Sequence, residues 1–183
     1  MTAALVNRAR HGDELAFAEL FAMHVDRCFA IAYRILRDVE RAEDATQQAL
    51  LLAWRDLPQL RDADRFEAWL QRLLINQCYQ MAGRNRRWLA HIRTLPMETA
   101  VEPDHYLAIE DREILEHAFT TLSPEQRAVV VLHHHVGMPL ASIASTLGVP
   151  LGTVKSRLHY ATRLLRAALT EDGHDRRSGK WTA

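Results

Sequence analysis

Apolar residues recur at spacings of three and four along most of the chain. No stretch alternates apolar with polar residues cleanly over the length of a strand, so the pattern predicts an all-α protein. From Asp13, DELAFAELFAMHVDRCFAIAYRILRD places Leu15, Phe17, Leu20, Phe21, Cys28, Ile31, Ile35 and Leu36 largely on one face of a single long helix, with Asp13 as its N-cap. A second helix, AEDATQQALLLAWRDL, opens with Glu43 and Asp44, where negative charge suits the positive end of the helix dipole, and stops before Pro58. A third runs through RFEAWLQRLLINQCYQMAGRNRR, with Phe66, Trp69, Leu70, Leu73, Leu74 and Cys78 as its apolar stripe. These three helices are expected to bury one core together.

The pattern resumes at LSPEQR, where Ser123 caps, Pro124 suits the first helical position and Gln126 completes a capping box. That helix carries AVVVLHHHV and ends at Gly137. After it come LASIASTLG, a turn at GVP, and a long helix LGTVKSRLHYATRLLRAAL with Val154, Leu158, Leu165 and Leu169 on one side. The last dozen residues, DGHDRRSGKWTA, are expected to fray.

Charge adds a boundary between the two sets of helices. Arg84, Arg86, Arg87 and Arg93 fall within ten residues that hold no acid, whereas Thr94 to Glu116 carries seven acids against one base, Arg112, and contains Pro96 and Pro103. The expected organisation is therefore a helical domain over 10–92, an acidic linker over 93–112, a second helical domain over 113–170 and a frayed tail over 171–183. Over the whole chain of 183 residues, 23 bases cancel 23 acids, so net charge identifies no partner until it is resolved along the sequence. A hydrophobic fraction of 48% fits a soluble globular protein. Cys28 and Cys78 form no C-x-x-C pair, lie in apolar stretches and read as buried free thiols rather than a disulfide. The apolar runs fall short of a membrane span and the N-terminus has no signal-peptide core, which predicts a cytoplasmic protein.

His133, His134 and His135 invite a metal reading. Neighbours on a helix point about 100° apart, however, so three in a row do not converge on one ion. They read instead as the last turn of a helix, where imidazoles suit the negative end of the dipole. The sequence has no H-E-x-x-H, no glycine-rich phosphate loop and no nucleophile elbow, so an enzyme, a metal site and a cofactor are all disfavoured.

The segment from Leu140 to Tyr160 has the spacing of a helix-turn-helix. Ile143 and Leu147 face inward, Ala144 allows a close crossing, Gly148 makes the turn, and Val149, Val154 and Leu158 close the core. The outer face of the last helix offers Gly152, Thr153, Lys155, Ser156, Arg157, His159, Tyr160 and Arg163, and from Gly152 to Thr170 there are four bases and no acid. Such a helix can enter a major groove, with its N-terminal amides and Thr153 against phosphate and Lys155, Ser156 or His159 at base edges.

GVPLGTVKSRLHYATRLLRAAL, preceded by LSPEQRAVVVLHHHVGMPLASIASTLG, resembles region 4 of the bacterial extracytoplasmic-function sigma factors. GDELAFAELFAMHVDRCFAIAYRILRDVERAEDATQQALLLAW and RFEAWLQRLLINQCYQMAGRNRR resemble region 2 of that class. The likeness covers roughly residues 10 to 90 and 112 to 170, and two modules in the right order are far more specific than a helix-turn-helix alone. The resemblance implies a sigma factor that binds core RNA polymerase and recognises promoter DNA through a minus-thirty-five duplex and a partly single-stranded minus-ten element. It also implies an anti-sigma partner. Asp44, Gln47 and Gln48 would contact polymerase; Arg61, Arg65 and Asn76 would hold an unpaired minus-ten base; Arg84, Arg86 and Arg87 would follow the upstream duplex. The acidic linker would thread the polymerase channel. This chain has Gln48 where the family more often has glutamate, Ile75 where it commonly has arginine and Gln80 where it commonly has aspartate. A stand-alone helix-turn-helix regulator with an N-terminal sensing or dimerisation domain would explain the second module but not the first.

Overall fold

The computed structural model describes the backbone over residues 2–89 and 109–178, and side chains within 2–83 and 115–168. Every regular element among the described residues is a helix, and they contain no strand. The first helix, α1 (Thr2–Arg10), lies ahead of the expected boundary at residue 10 and buries Leu5, Val6 and Ala9. It is too short for periodicity to reveal. Gly12 turns the chain at φ +90°. Asp13 then caps α2 (Glu14–Leu36), accepting the Ala16 N–H at 3.0 Å. That hydrogen bond, with a second from the Arg8 guanidinium, holds the Asp13 carboxyl below the usual carboxylate range.

Of the stripe expected on α2, Leu20, Cys28, Ile31 and Ile35 are buried, while Leu15 is 80% exposed and Phe21 lies at the surface. The helix stops at Arg37, a left-handed residue whose N–H bonds the Tyr33 carbonyl at 2.7 Å. Next in the chain, Asp38 caps α3 (Val39–Asp56) by accepting the Arg41 N–H. The helix therefore starts one turn earlier than Glu43 and Asp44 suggested. Its dipole is met by Asp38 and Glu40, and Asp44 sits further in, on a side wall. Ala42, Ala45, Ala49 and Ala53 are all essentially inaccessible and let α3 approach its neighbours closely.

Two short 3-10 turns follow, at Leu57–Gln59 and Ala63–Arg65, the second capped by Asp62. They lead into α4 (Phe66–Leu89), which buries Phe66, Leu70, Leu74, Ile75 and Cys78 and packs on α2 and α3. Trp69 and Leu73, also placed on that stripe, are only half-buried.

In the second half, α5 (Ile109–Thr121) begins inside the stretch expected to be linker over 93–112, of which 93–108 lie outside the described residues. The capping box forms as read. Ser123 Oγ accepts the Gln126 N–H at 3.3 Å, and Gln126 Oε1 accepts the Ser123 N–H at 2.8 Å, opening α6 (Pro124–Val130). That helix widens into a π-turn over Val131–His135, in which the Val136 N–H reaches the Val131 carbonyl at 3.0 Å, and Gly137 turns away at φ +79°. A short helix, α7 (Leu140–Leu147), leads through Gly148 at φ +66° into α8 (Leu151–Ser178). The backbone of α8 thus stays helical to Ser178, where the sequence reading placed a frayed tail from residue 171. Leu122, Val130 and Ala161 form a buried cluster with Phe119, Leu158 and Leu165 against it, and Leu132, Ile143 and Val154 are fully buried. The chain divides into two compact units, one built on α1 to α4 and the other on α5, α6, α8 and the first half of α7.

Candidate nucleic-acid interface

The start of α8 is fixed by its own backbone. The Pro150 carbonyl accepts the N–H groups of Thr153 at 2.9 Å and Val154 at 3.2 Å, and Ser156 Oγ donates to the Thr153 carbonyl at 3.0 Å. Val154 and Ala161 are fully buried, with Leu158 and Leu165 beside them, so spacings of three and four fix the inner face. Gly152, Lys155, Ser156, His159, Tyr160 and Arg163 are consequently exposed, and Thr153 and Arg157 are half-buried at the edge of the stripe. The Arg163 guanidinium lies over the Tyr160 ring at 5.1 Å, and the His159 ring stands edge-on to Tyr160 at 6.0 Å. The result is a cationic, aromatic ridge that presents donors along one side of a helix.

A second surface lies on the first unit. Arg55, Asp56, Gln59, Leu60, Arg61 and Trp69 line an open depression of about 630 Å³ between the end of α3, the first 3-10 turn and the start of α4. Arg55 grips Asp56 in a two-point ion pair at 2.7 and 2.9 Å, and that pairing lowers the Asp56 carboxyl. The guanidinium and the indole can stack on or hold a flat polar group. Of the three residues expected to hold an unpaired base, Arg61 lines the depression. Arg65 and Asn76 are exposed but fall outside its lining, Arg65 being paired with Asp62 at 3.2 Å. Trp69, Arg55 and Gln59 were missed: Trp69 read as core, and the other two are adjacent in space only because the turn folds back. Ile75 is buried rather than available to a ligand, whereas Gln80 is exposed. Arg84, Arg86 and Arg87 belong to the end of α4, and their side chains lie outside the described residues.

Asp44, Gln47 and Gln48 share the outer face of α3 and are all exposed. That face continues into Leu51, 60% exposed, and Trp54, 43% exposed, whose ring meets Phe17 edge-on at 4.5 Å. Spacing in the sequence places these large apolar side chains on a helix but does not distinguish surface from core. In the π-turn two of the three histidines, His133 and His134, lie side by side, closer than neighbours about 100° apart on a regular helix suggest. His133 Nδ1 donates to the Met138 carbonyl at 3.1 Å, and the His133 and His134 rings meet edge-on at 4.7 Å. Partial burial and the neighbouring His133 lower the His134 imidazole. Among the described residues no three His, Cys, Asp or Glu side chains gather as a metal cage would require, and no helix is long and apolar enough to cross a membrane.

A helix-turn-helix with a cationic outer face, following a separate helical unit, defines a two-module protein whose second module binds DNA. Family models divide the chain in the same place, sigma-70 region 2 matching residues 20–88 and sigma-70 region 4 matching residues 112–165. The ECF RNA polymerase sigma factor SigL of Mycobacterium tuberculosis is 34% identical over 175 residues, spanning 93% of this chain and 98% of the relative. SigM of the same species is 37% identical over 157 residues, spanning 85% of this chain and 78% of the relative. Among solved structures, the sigma factor RpoE in complex with the anti-sigma factor NepR from Bartonella quintana matches with a TM-score of 0.68 and 27% identity over 84% of this chain and 96% of that one. CnrH in complex with the cytosolic domain of CnrY matches with a TM-score of 0.66 and 26% identity over 93% of this chain and 98% of that one. The chain belongs to the ECF RNA polymerase sigma factors.

Proposed function

We propose that this sigma factor docks on core RNA polymerase through the outer face of α3 and carries it to promoters read at two places. Asp44, Gln47 and Gln48 supply polar contacts on that face, with Leu51 and Trp54 as its apolar part. Gly152, Thr153, Lys155, Ser156, Arg157, His159, Tyr160 and Arg163 meet the upstream duplex element. Arg61, with Trp69 beside it, receives an unpaired base of the minus-ten element, Arg65 and Asn76 flank it, and Arg84, Arg86 and Arg87 follow the adjoining duplex.

The observation that carries this reading is the pairing of two different surfaces on one chain, a groove-sized ridge for duplex and an open depression for a flat group. Each alone is weak: about four phosphate contacts give a log–log salt slope near −3.6. Mounting both on one polymerase makes the second contact effectively intramolecular. The protein acts in the cytoplasm and has no catalytic role of its own, the polymerase supplying the chemistry. Its regulator is an anti-sigma factor, as in the two solved complexes it resembles.

The test is to measure promoter-fragment binding by the chain alone and after addition of sigma-free core polymerase. Tight, sequence-selective binding is expected only with core. Tight binding to palindromic sites by the free chain, unaffected by core, would support the stand-alone regulator instead.

A further inference from the structure

The loop that carries Arg61 has little holding it in place. Between Leu57 and Arg65 only Leu57 and Leu60 are buried; the remaining side chains are exposed or half-exposed. Its backbone is closed by local hydrogen bonds, among them Leu60 N–H to the Leu57 carbonyl at 3.0 Å, Arg65 N–H to the Asp62 carbonyl at 3.2 Å, Asp64 N–H to Asp62 Oδ1 at 3.0 Å and Phe66 N–H to the Ala63 carbonyl. Three-residue 3-10 turns do not persist on such bonds alone. What lies against both of them is α1, which precedes the segment matched by the region 2 model. Leu5, Val6 and Ala9 of α1 are 5%, 0% and 5% exposed. The helix is clipped in turn to the start of α2 by the Arg8–Asp13 ion pair at 2.7 Å. By contrast α3, which carries the polymerase-facing side chains, packs mainly on α2 and α4.

We propose that α1 is a positioning element for minus-ten capture, its buried face of Leu5, Val6 and Ala9 holding the two turns so that Arg61 and the depression beside it are preformed. A loop site gains affinity from such support because binding need not also order the loop. If loosening α1 leaves the competent loop conformation one tenth populated, the apparent Kd for the captured strand rises about tenfold while the intrinsic contacts are unchanged. The polymerase-facing helix has no share in that loss. This inference rests on the proposal that the loop receives an unpaired base.

The experiment uses holoenzyme assembled from the full chain and core polymerase. The probe is a labelled single-stranded oligonucleotide carrying the non-template minus-ten region of a promoter mapped with the wild-type holoenzyme. Leu5→Ala is expected to weaken oligonucleotide binding on the order of tenfold with core affinity within about twofold of wild type. Leu5→Met, which conserves volume, restores it. Arg8→Ala, at a side chain 57% exposed and so no threat to folding, is expected to act in the same direction more weakly. Unchanged oligonucleotide binding in both Leu5→Ala and Arg8→Ala overturns the inference, as does a parallel fall in core affinity, which would mark α1 as general support. Arg61→Ala separates the two levels. If it loses the oligonucleotide while the α1 variants do not, only the positioning role fails. If it too binds normally, the loop is not the capture site and the inference falls with that reading.

Discussion

Two cations on the same face of α8 should fail in different ways when removed. Lys155 lies four residues after Leu151 and Arg163 twelve, which at 1.5 Å per residue places them about 6 Å and about 18 Å from the start of the helix. A major groove is roughly 12 Å wide, so a helix entering by its N-terminus brings Lys155 to base edges and leaves Arg163 at the phosphates beyond. Tyr160 beneath the Arg163 guanidinium holds it for that contact. Arg163→Gln should therefore lower the magnitude of the salt slope by about 0.9, so that raising salt from about 50 to about 200 mM costs roughly 3.5-fold less affinity than in wild type, with sequence preference intact. Lys155→Gln should relax discrimination at one base pair by about 1–3 kcal/mol and change the slope less. The assay is fluorescence anisotropy of holoenzyme on an upstream-element duplex and its point variants across that salt range. Relaxed base preference in Arg163→Gln with an unchanged slope, or no effect of either variant, would refute the docking geometry.

Three further outcomes follow from the cores. Burial lowers the imidazole pKa of His24 from its ordinary 6.5, so the unfolded chain binds the proton more readily. Stability should then be intact above pH 6.5 and fall as pH drops below it; thermal melts of wild type and His24→Leu from pH 7.5 to 5 should show the variant with the flatter dependence, and identical profiles would count against it. Burial pushes the Cys28 thiol up to about 11 and the Cys78 thiol up to about 12, so both should resist iodoacetamide at pH 8 in the folded protein and react once it is unfolded, as read by mass spectrometry. Ile143→Ala empties a fully buried site and should cost about 2–5 kcal/mol, lowering the melting of the second unit while the first, followed by hydrogen exchange in α3, is unmoved.

Helix identity was legible because burial has one period. Val154, Leu158 and Leu165 sit inward as their spacing required, and the Ser123 capping box forms both of its hydrogen bonds. Boundaries were less legible: Asp38 starts α3 a turn early because the preceding residue, Arg37, adopts a left-handed conformation that its sequence does not advertise. The exposed face of α8 follows from its buried face, so spacing places Gly152, Lys155, Ser156, His159, Tyr160 and Arg163 correctly, while Thr153 and Arg157 lie half-buried at its edge. The depression could not, since Arg55, Gln59 and Trp69 converge through a turn rather than along a helix. Nor could α1, whose two large buried residues, Leu5 and Val6, are adjacent and reveal no period.

A sigma factor with two separate readers should confer promoter choice on polymerase at two elements at once. The most direct measurement is transcription in vitro, with purified protein and sigma-free core polymerase on a library of genomic fragments and start sites mapped by sequencing. New starts are expected that are absent without the protein and share two short elements at a fixed spacing, with those starts lost in Lys155→Gln and Arg61→Ala alike. Starts that share a single element, or no new starts from a protein that nonetheless binds DNA by itself, would contradict promoter choice by two readers.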